Sequence, residues 1–225
     1  MKKVIWVIPL VLILLVHCSG LKEQKIIETN SRNLKISLSF NTDNYPWLLG
    51  TKYPQLAVWV ETVTGDRETV FVTQGAGENK WMFADERPDA LPVWAGIRPG
   101  NQGVDIDAVS GATPSGEVHA IVWQIPEKYH GQKIAVFIEA NVSFDYNEFY
   151  TKAENMPGYS GVNGQPSVVW KSSFIADDTP QQTTPEIIGH GQVLGKNSEI
   201  DSDMSGVSTA AELFNYMTFS YYPDS

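Results

Sequence analysis

Apolar and polar residues alternate along much of this chain, which is the pattern of half-buried β-strands. In "LKISLSF", residues 34–40, every second residue is apolar, as expected when one face of a strand lies in a core. "VTGDR", residues 63–67, has the composition of a hairpin turn. Further segments rich in β-branched and aromatic residues lie at 54–63, 68–74, 117–125, 133–142, 166–176 and 215–222. The pattern predicts an all-β, Ig-like β-sandwich, because strands with one apolar face bury it against a second sheet.

Between the predicted strands, one segment favours a helix and two favour long loops. "STAAELF", residues 208–214, places Thr209 and Glu212 at the spacing of a capping box, and its alanines favour helix. Residues 84–103 and 144–165 are irregular, and loops of this length usually bind something or cover an edge. We expect their aromatic residues to form one wall of a cleft; these are Trp94, Tyr146, Phe149, Tyr150 and Tyr159.

The length and composition fit one domain. The chain has 225 residues, of which 42% are hydrophobic and 19% charged, which is enough for one sizeable core. We assign residues 1–17 to a signal peptide, 18–33 to a linker and 34–225 to the β-sandwich.

The N-terminal residues resemble a bacterial lipoprotein leader. "MKK" supplies positive charge, and residues 4–16 form an apolar run that is short for a bilayer span. Cys18, the one cysteine of the chain, follows this run as in a lipobox, although His17 stands where a small residue is usual. The resemblance implies cleavage after residue 17 and a lipid anchor on Cys18; an ordinary cleaved leader and an uncleaved anchor are the alternatives. With one cysteine, an intramolecular disulfide is impossible.

The charge of the chain bears on its partners. The formal net charge is −10, and without Lys2 and Lys3 the mature chain keeps 14 basic and 26 acidic residues. We therefore expect no nucleic-acid partner, because no basic stripe is available, and no electrostatic docking on anionic lipid. The expected partner is an envelope protein or a small ligand, and the membrane is contacted through the lipid anchor.

Three segments resemble a family of uncharacterised, predicted periplasmic bacterial proteins: "PQLAVWVETVTG", "DAVSGATPSGEVHAIVW" preceded by a tryptophan, and "HGQKIAVFIEAN". The similarity runs from about Leu34 to the C-terminus. It implies an Ig-like strand pattern and a place in the bacterial cell envelope, in the periplasm or on the outer surface. Genes of the family often lie beside flavin transferases and membrane redox proteins, an association that suggests envelope redox or metal uptake.

"DAVSGAT" resembles the acceptor motif of bacterial flavin-carrying proteins. In that motif an Asp is followed three residues later by Ser or Thr, then by Gly-Ala-Thr, and the last threonine is joined to FMN through a phosphoester. Residue by residue, the resemblance assigns Asp107, Ser110, Gly111 and Ala112 to the motif and Thr113 to the attachment point. Flavin-carrier domains usually continue into a helix, whereas here "PSG" leads into a predicted strand. A plain turn is the alternative interpretation of the same residues.

"DSDMSGVSTAAE", residues 201–212, matches the twelve-residue calcium loop of EF-hand proteins. Asp201, Asp203 and Ser205 occupy positions 1, 3 and 5, Gly206 occupies position 6 and Glu212 occupies position 12. This spacing directs alternate oxygens toward one ion. Position 8 is a serine instead of an aliphatic residue, and "GQVLGKNSEI" before the loop is too rich in glycine for an incoming helix. The alternative is an acidic loop that leads into a short helix.

Enzymatic chemistry has weaker support in the sequence. No G-x-S-x-G elbow occurs, and Cys18 is not a nucleophile if it is lipidated or removed. We interpret His119, His130 and His190 as surface or locally hydrogen-bonded residues, because none has a partner histidine at metal-ligand spacing. Asp105 and Asp107 form a carboxylate pair of the kind that glycosidases use.

Taken together, the sequence favours an exported, lipid-anchored binding or accessory module of the bacterial cell envelope with no catalytic residues. A carrier of covalent FMN is the first alternative, and a hydrolase is the second. Calcium and covalent FMN are the candidate cofactors.

Overall fold

The computed structural model describes residues 31–45, 53–78, 90–97, 109–111, 118–195 and 197–223. These residues form ten β-strands, two short α-helices and four 3₁₀ turns. The strands are β1 (Asn33–Phe40), β2 (Gln55–Thr62), β3 (Arg67–Thr73), β4 (Val109–Gly111), β5 (Val118–Gln124), β6 (Lys133–Asn141), β7 (Val168–Ile175), β8 (Gln181–Thr183), β9 (Glu186–His190) and β10 (Phe214–Tyr222). The helices are α1 (Gln74–Glu78) and α2 (Pro92–Ile97), and the 3₁₀ turns are Thr42–Asn44, Glu127–Tyr129, Gly161–Asn163 and Thr209–Glu212.

The strands form two sheets. The four-stranded sheet has the order β5-β1-β10-β8 and is antiparallel throughout. The six-stranded sheet has the order β4-β3-β2-β6-β7-β9 and is antiparallel except for the parallel pair of β3 and β4. The all-β sandwich predicted from the sequence is confirmed.

The main core lies between the two sheets. Leu34, Ile36 and Leu38 point inward from β1 and are fully buried. Val136 and Ile138 point inward from β6, in the other sheet, and belong to the same cluster. Full burial of one such side chain contributes about 1.5–3 kcal/mol, so the alternation of apolar residues fixes which face of each strand lies inside.

A second apolar cluster covers the outer face of the six-stranded sheet. The rings of Trp59 and Phe137 stack with their centroids 5.1 Å apart, and Leu91, Val93 and Trp94 of the segment that contains α2 are buried in the same cluster. The part of the sheet that this cluster covers, which includes the middle of β2, is therefore buried on both faces. This explains why "LAVWV", residues 56–60, is apolar without alternation.

The seven predicted strands are all present, each with bounds within two residues of those predicted. The predicted hairpin is also present, because β2 and β3 pair across Gly65, whose φ is 89°. The pattern missed the strands β4, β8 and β9, which are too short for a period to emerge. It was also wrong to leave residues 84–103 without a helix, since α2 lies there. The helix predicted at 208–214 is a single 3₁₀ turn, Thr209–Glu212.

One end of the sandwich carries two long connections. At this end β6 is followed by residues 142–167 before β7, and β9 is followed by residues 191–213 before β10. The paired residues Gln55 and Asn141, and Val168 and His190, mark the same end of the six-stranded sheet. We call the segments 142–167 and 197–213 at this end the loop end.

Candidate functional site

The two long segments of the loop end are joined by Asn147. Its side-chain amide donates to the carbonyl oxygen of Gly206 at 3.0 Å and to the hydroxyl of Ser208 at 3.1 Å. Its carbonyl oxygen accepts the backbone N–H groups of Phe149 and Tyr150, both at 2.9 Å. A single asparagine therefore turns one loop and attaches it to the other.

A buried polar network lies beneath this attachment. Gln165 is fully buried, and its amide nitrogen donates to Asp145 Oδ2 at 2.9 Å and to Thr209 Oγ1 at 2.6 Å. The side-chain carbonyl oxygen of Gln165 accepts a hydrogen bond from the backbone N–H of Ser208 at 2.7 Å. The Thr209 hydroxyl donates to the Asp145 carboxylate at 2.7 Å. Because buried polar groups are costly when unpaired, a network of this kind holds both loops in one arrangement.

The carboxylate of Asp145 is the titratable group of this network. Burial raises the pKa of Asp145 above its ordinary value, and the hydrogen bonds from Thr209 and Gln165 offset this effect only in part. The group is therefore protonated more readily in the folded protein than in the unfolded chain.

The backbone around the network also requires particular residues. Phe144 has a φ of 65°, a conformation that a non-glycine residue rarely adopts. Gly164 has a φ of 69°, and a Cβ atom at this position would lie 2.5 Å from the backbone nitrogen of Asp145. Close approach of the two loop strands thus depends on glycine at position 164.

Of the five aromatic residues that the sequence predicted to form one wall, Trp94 does not lie at the loop end. Phe149 is 52% exposed, whereas Tyr150 is partly buried against the other loop. Burial raises the pKa of Tyr150, and the carboxylates of Asp201 and Asp203 raise it further. Trp94 lies elsewhere: it is buried in the outer cluster and donates its Nε1–H to Thr69 at 3.1 Å.

The residues of the candidate calcium loop have local partners. Asp201 Oδ1 accepts the backbone N–H of Asp203 at 2.9 Å, and Asp203 Oδ1 accepts that of Ser205 at 3.0 Å. The backbone and side chain of Ser205 lower the pKa of Asp203. Glu212 Oε2 accepts a hydrogen bond from Asn44 at 3.0 Å. Among the described residues no three His, Cys, Asp or Glu side chains are gathered in a way that could hold a metal ion.

The capping-box interpretation of Thr209 and Glu212 is wrong. Both residues lie inside the 3₁₀ turn, which begins after Ser208, and no side chain caps its N-terminus. The Thr209 hydroxyl is bonded to Asp145 and the Glu212 carboxylate to Asn44, so the two side chains bond different parts of the protein. Thr209 therefore helps to join the two loops, whereas Glu212 contacts the segment that follows β1.

His190 connects β9 to the loop end. Its Nδ1 lies 2.8 Å from the carbonyl oxygen of Gly191, and its Nε2 lies 3.1 Å from that of Asp203. Its backbone also exchanges two hydrogen bonds with Asp201. His130, by comparison, is exposed after a 3₁₀ turn, and His119 on β5 packs against the ring of Phe71.

A further buried carboxylate, Glu139, stands in the middle of an apolar strand. It is fully buried, and it accepts the backbone N–H groups of Val93 at 3.2 Å and Trp94 at 2.7 Å and the hydroxyl of Ser167 at 2.6 Å. It therefore fixes the first turn of α2 on the outer face of the sheet. Glu139 was not predicted as a functional residue, although a lone glutamate in "KIAVFIEANV" is a visible signal.

The candidate flavin motif is described in part. Val109, Ser110 and Gly111 form β4, which pairs in parallel with Phe71–Thr73 of β3 at one edge of the six-stranded sheet. These three residues are therefore a strand and not a turn. Asp107, Ala112 and Thr113 lie outside the described residues, and residues 112–117 connect β4 to β5, the edge strand of the other sheet.

Other predicted features also lie outside the described residues. These are the leader 1–17, Cys18 and the carboxylate pair Asp105 and Asp107. Across the ranges that the structure describes, every helix is too short or too polar to cross a bilayer.

Comparison of the chain with protein-family models, with curated proteins and with solved structures finds no match.

Proposed function

We propose that this protein is an exported, lipid-anchored binding module of the bacterial cell envelope, and that the loop end contacts its partner. The leader, with Cys18 directly after its apolar run, supports export and anchoring. A lipid anchor leaves the sandwich free to meet an envelope protein or a small ligand.

The main support for a binding role is that a buried hydrogen-bond network joins two long loops. Loops are the usual site of recognition when a rigid scaffold holds them. The two loops are held together by hydrogen bonds among Gln165, Asp145 and Thr209. Asn147 forms a second connection between them. Loops ordered before binding lose less conformational entropy when a partner arrives. Phe149, half exposed at this end, offers an apolar contact.

Sedimentation with envelope membranes tests the proposal. The variant Cys18→Ser, expected to be soluble, is mixed with washed envelope membranes and centrifuged. We expect it to sediment with the membranes, and we expect the further change Phe149→Ser to reduce this fraction. Val63→Ser is the matched control, because Val63 is also exposed but lies in the hairpin at the opposite end. Equal sedimentation of the Phe149 and Val63 variants, or no sedimentation of the parent, contradicts the proposal.

A covalent FMN carrier is the second candidate function. The match over "DAVSGAT" supports it, together with the position of β4 at a sheet edge. Within the described residues β4 has one strand neighbour, β3, with which it pairs in parallel. The resemblance to a family encoded beside flavin transferases suggests the same role, and with it a link to envelope redox.

Coexpression with a bacterial flavin transferase tests this candidate. A carrier should give a fluorescent band at the mass of the mature protein after denaturing electrophoresis. Thr113→Val should remove the band, whereas the control Thr64→Val, in the exposed hairpin, should keep it. A missing band in the parent, or a band that persists in Thr113→Val, would exclude attachment at this residue.

A further inference from the structure

We infer that the outward face of the four-stranded sheet binds an oligosaccharide. Ser37, Thr218 and Ser220 form the centre of this face, and Tyr216 and Tyr222 lie at its two ends. We call it the hydroxyl face. It uses residues other than those of the loop end, so it is a second surface beyond the proposed function.

The two tyrosines lie at the ends of a row of smaller outward side chains on β10. Tyr216 and Tyr222 are 49% and 50% exposed and point outward from the same strand. Tyr222 stands six positions after Tyr216, which is about 20 Å along a strand. Between them Ser37 pairs with Thr218 and Lys35 with Ser220, so short side chains occupy most of the middle. An extended ligand along β10 would contact both rings and the hydroxyl groups between them.

The charge of this face is unlike that of the whole chain. Along β1, β5 and β10, Lys35 is the one charged side chain among the outward residues, although the chain has a net charge of −10. The remaining groups are hydroxyls, amides and aliphatic side chains such as Val118 and Val122. An uncharged ligand rich in hydroxyl groups complements such a surface, because its hydroxyls pair with the neutral polar groups and its oxygens can accept hydrogen bonds from the Lys35 ammonium.

The size of the face favours an oligosaccharide over a second protein. Strands of about 30 Å, spaced by about 4.8 Å, give a flat area of roughly 400 Å². A stable protein interface covers about 800 Å² on each partner. An oligosaccharide needs less area, because its hydroxyls bond the polar side chains while the C–H face of a sugar ring packs on tyrosine. Tyrosine suits this contact, since its ring is apolar and its hydroxyl is polar.

A panel of tetrasaccharides tests the inference. Maltotetraose, cellotetraose, chitotetraose and xylotetraose are titrated into the Cys18→Ser protein, with binding measured by calorimetry. We expect at least one to bind, and we expect Tyr216→Ala and Tyr222→Ala each to weaken that binding by about tenfold. Thr218→Phe, which places a bulky ring between the two tyrosines, should also block binding.

The matched control is Val63→Ala in the hairpin between β2 and β3, which should bind the tetrasaccharide as the parent does. The variants sit at exposed or half-exposed positions, and unchanged melting temperatures verify that they fold. No binding to any of the four tetrasaccharides, or binding that both tyrosine variants retain in full, overturns the inference. Either result leaves the envelope sedimentation of the Phe149 and Val63 variants unaffected, so the two proposals fail separately.

Discussion

Gln165 uses both ends of its side-chain amide to join segments that are distant in the sequence. Its nitrogen donates to Asp145 and Thr209, and its oxygen accepts from the backbone of Ser208. No sequence pattern could have selected this residue, because its partners lie 20 to 44 positions away and glutamine is common in loops. Glu139 differs in this respect, since a charge inside an apolar strand already indicates a buried partner.

Replacing Gln165 with alanine should destabilise the protein. The change leaves the Ser208 N–H without its acceptor and Asp145 without one donor, at a buried site. An unsatisfied buried polar group costs about 1–3 kcal/mol, so we expect the free energy of unfolding to fall by about that amount. Urea denaturation measures it, with Gln182→Ala on an exposed strand position as the control. Equal stability of the two variants would contradict the role assigned to Gln165.

Asp145→Asn should change how stability depends on pH. Because burial raises the pKa of Asp145 above its ordinary value of 3.8, the folded protein keeps a proton at a pH where the unfolded chain has lost it. The contribution of this group to stability therefore falls as pH rises from the ordinary pKa through the raised one. In Asp145→Asn this contribution is absent.

The measurement is denaturation of both proteins at several pH values. The free energy of unfolding of the wild type, relative to Asp145→Asn, should increase as the pH is lowered from neutral toward 3.8. A relative stability that stays constant, or that decreases on acidification, would show that burial does not control this carboxylate.

Strands are the elements that the sequence predicts well here. The alternation in 34–40 holds because β1 buries one face only, and the apolar segment at 54–63 was still recognised although β2 is covered on both faces. Short strands such as Val109–Gly111 were not predicted. A strand of three residues forms because it pairs with a neighbouring strand, and the local sequence pattern does not reveal that neighbour. The turn Thr209–Glu212 was mistaken for a longer helix because its side chains are bonded outside the turn.

Calcium binding by the acidic loop stays a prediction. Glu212 would have to exchange its hydrogen bond with Asn44 for the ion, and Asp201 and Asp203 would have to supply oxygens from carboxylates that now accept backbone N–H groups of the loop. A ligand at a hundredfold excess over its Kd stabilises a protein by about 2.7 kcal/mol. Millimolar calcium should therefore raise the melting temperature by a few degrees.

Two variants distinguish the binding of calcium by Glu212 from the hydrogen bond of Glu212 with Asn44. Glu212→Ala should erase the calcium-dependent rise, whereas Asn44→Ala, which frees the same carboxylate, should keep it. Melting curves that coincide in calcium and in chelator would remove residues 201–212 from consideration as a metal site.

At the scale of the whole molecule, the features that the sequence presents separately lie at one end. β4 contains part of the candidate flavin motif and ends beside Thr73, the last residue of β3. The segments 142–167 and 197–213 are joined by the hydrogen bonds of Asn147. Each feature was visible in the sequence, but its place at this end depends on sheet order and register. Long-range pairing of this kind is set by the packed fold and not by local pattern.

Cys18→Ser should release the protein from the membrane. Each methylene of an acyl chain in the bilayer contributes about 0.8 kcal/mol, so two or three chains hold a protein firmly. Fractionation of cells and labelling with a fatty-acid probe measure both effects. If the variant stays in the membrane fraction and the wild type takes up no label, the proposal that Cys18 carries a lipid anchor is wrong.

The most direct test of the binding role is photo-crosslinking in living cells. A photoreactive phenylalanine analogue replaces Phe149 at the loop end or, in the control, Val63 in the opposite hairpin; both positions are exposed. We predict a discrete crosslinked product from position 149 that is absent from position 63 and that decreases in Gln165→Ala, in which the loops are less well fixed. The same products from both positions, or no product from position 149, would contradict the proposal that the loop end contacts a partner.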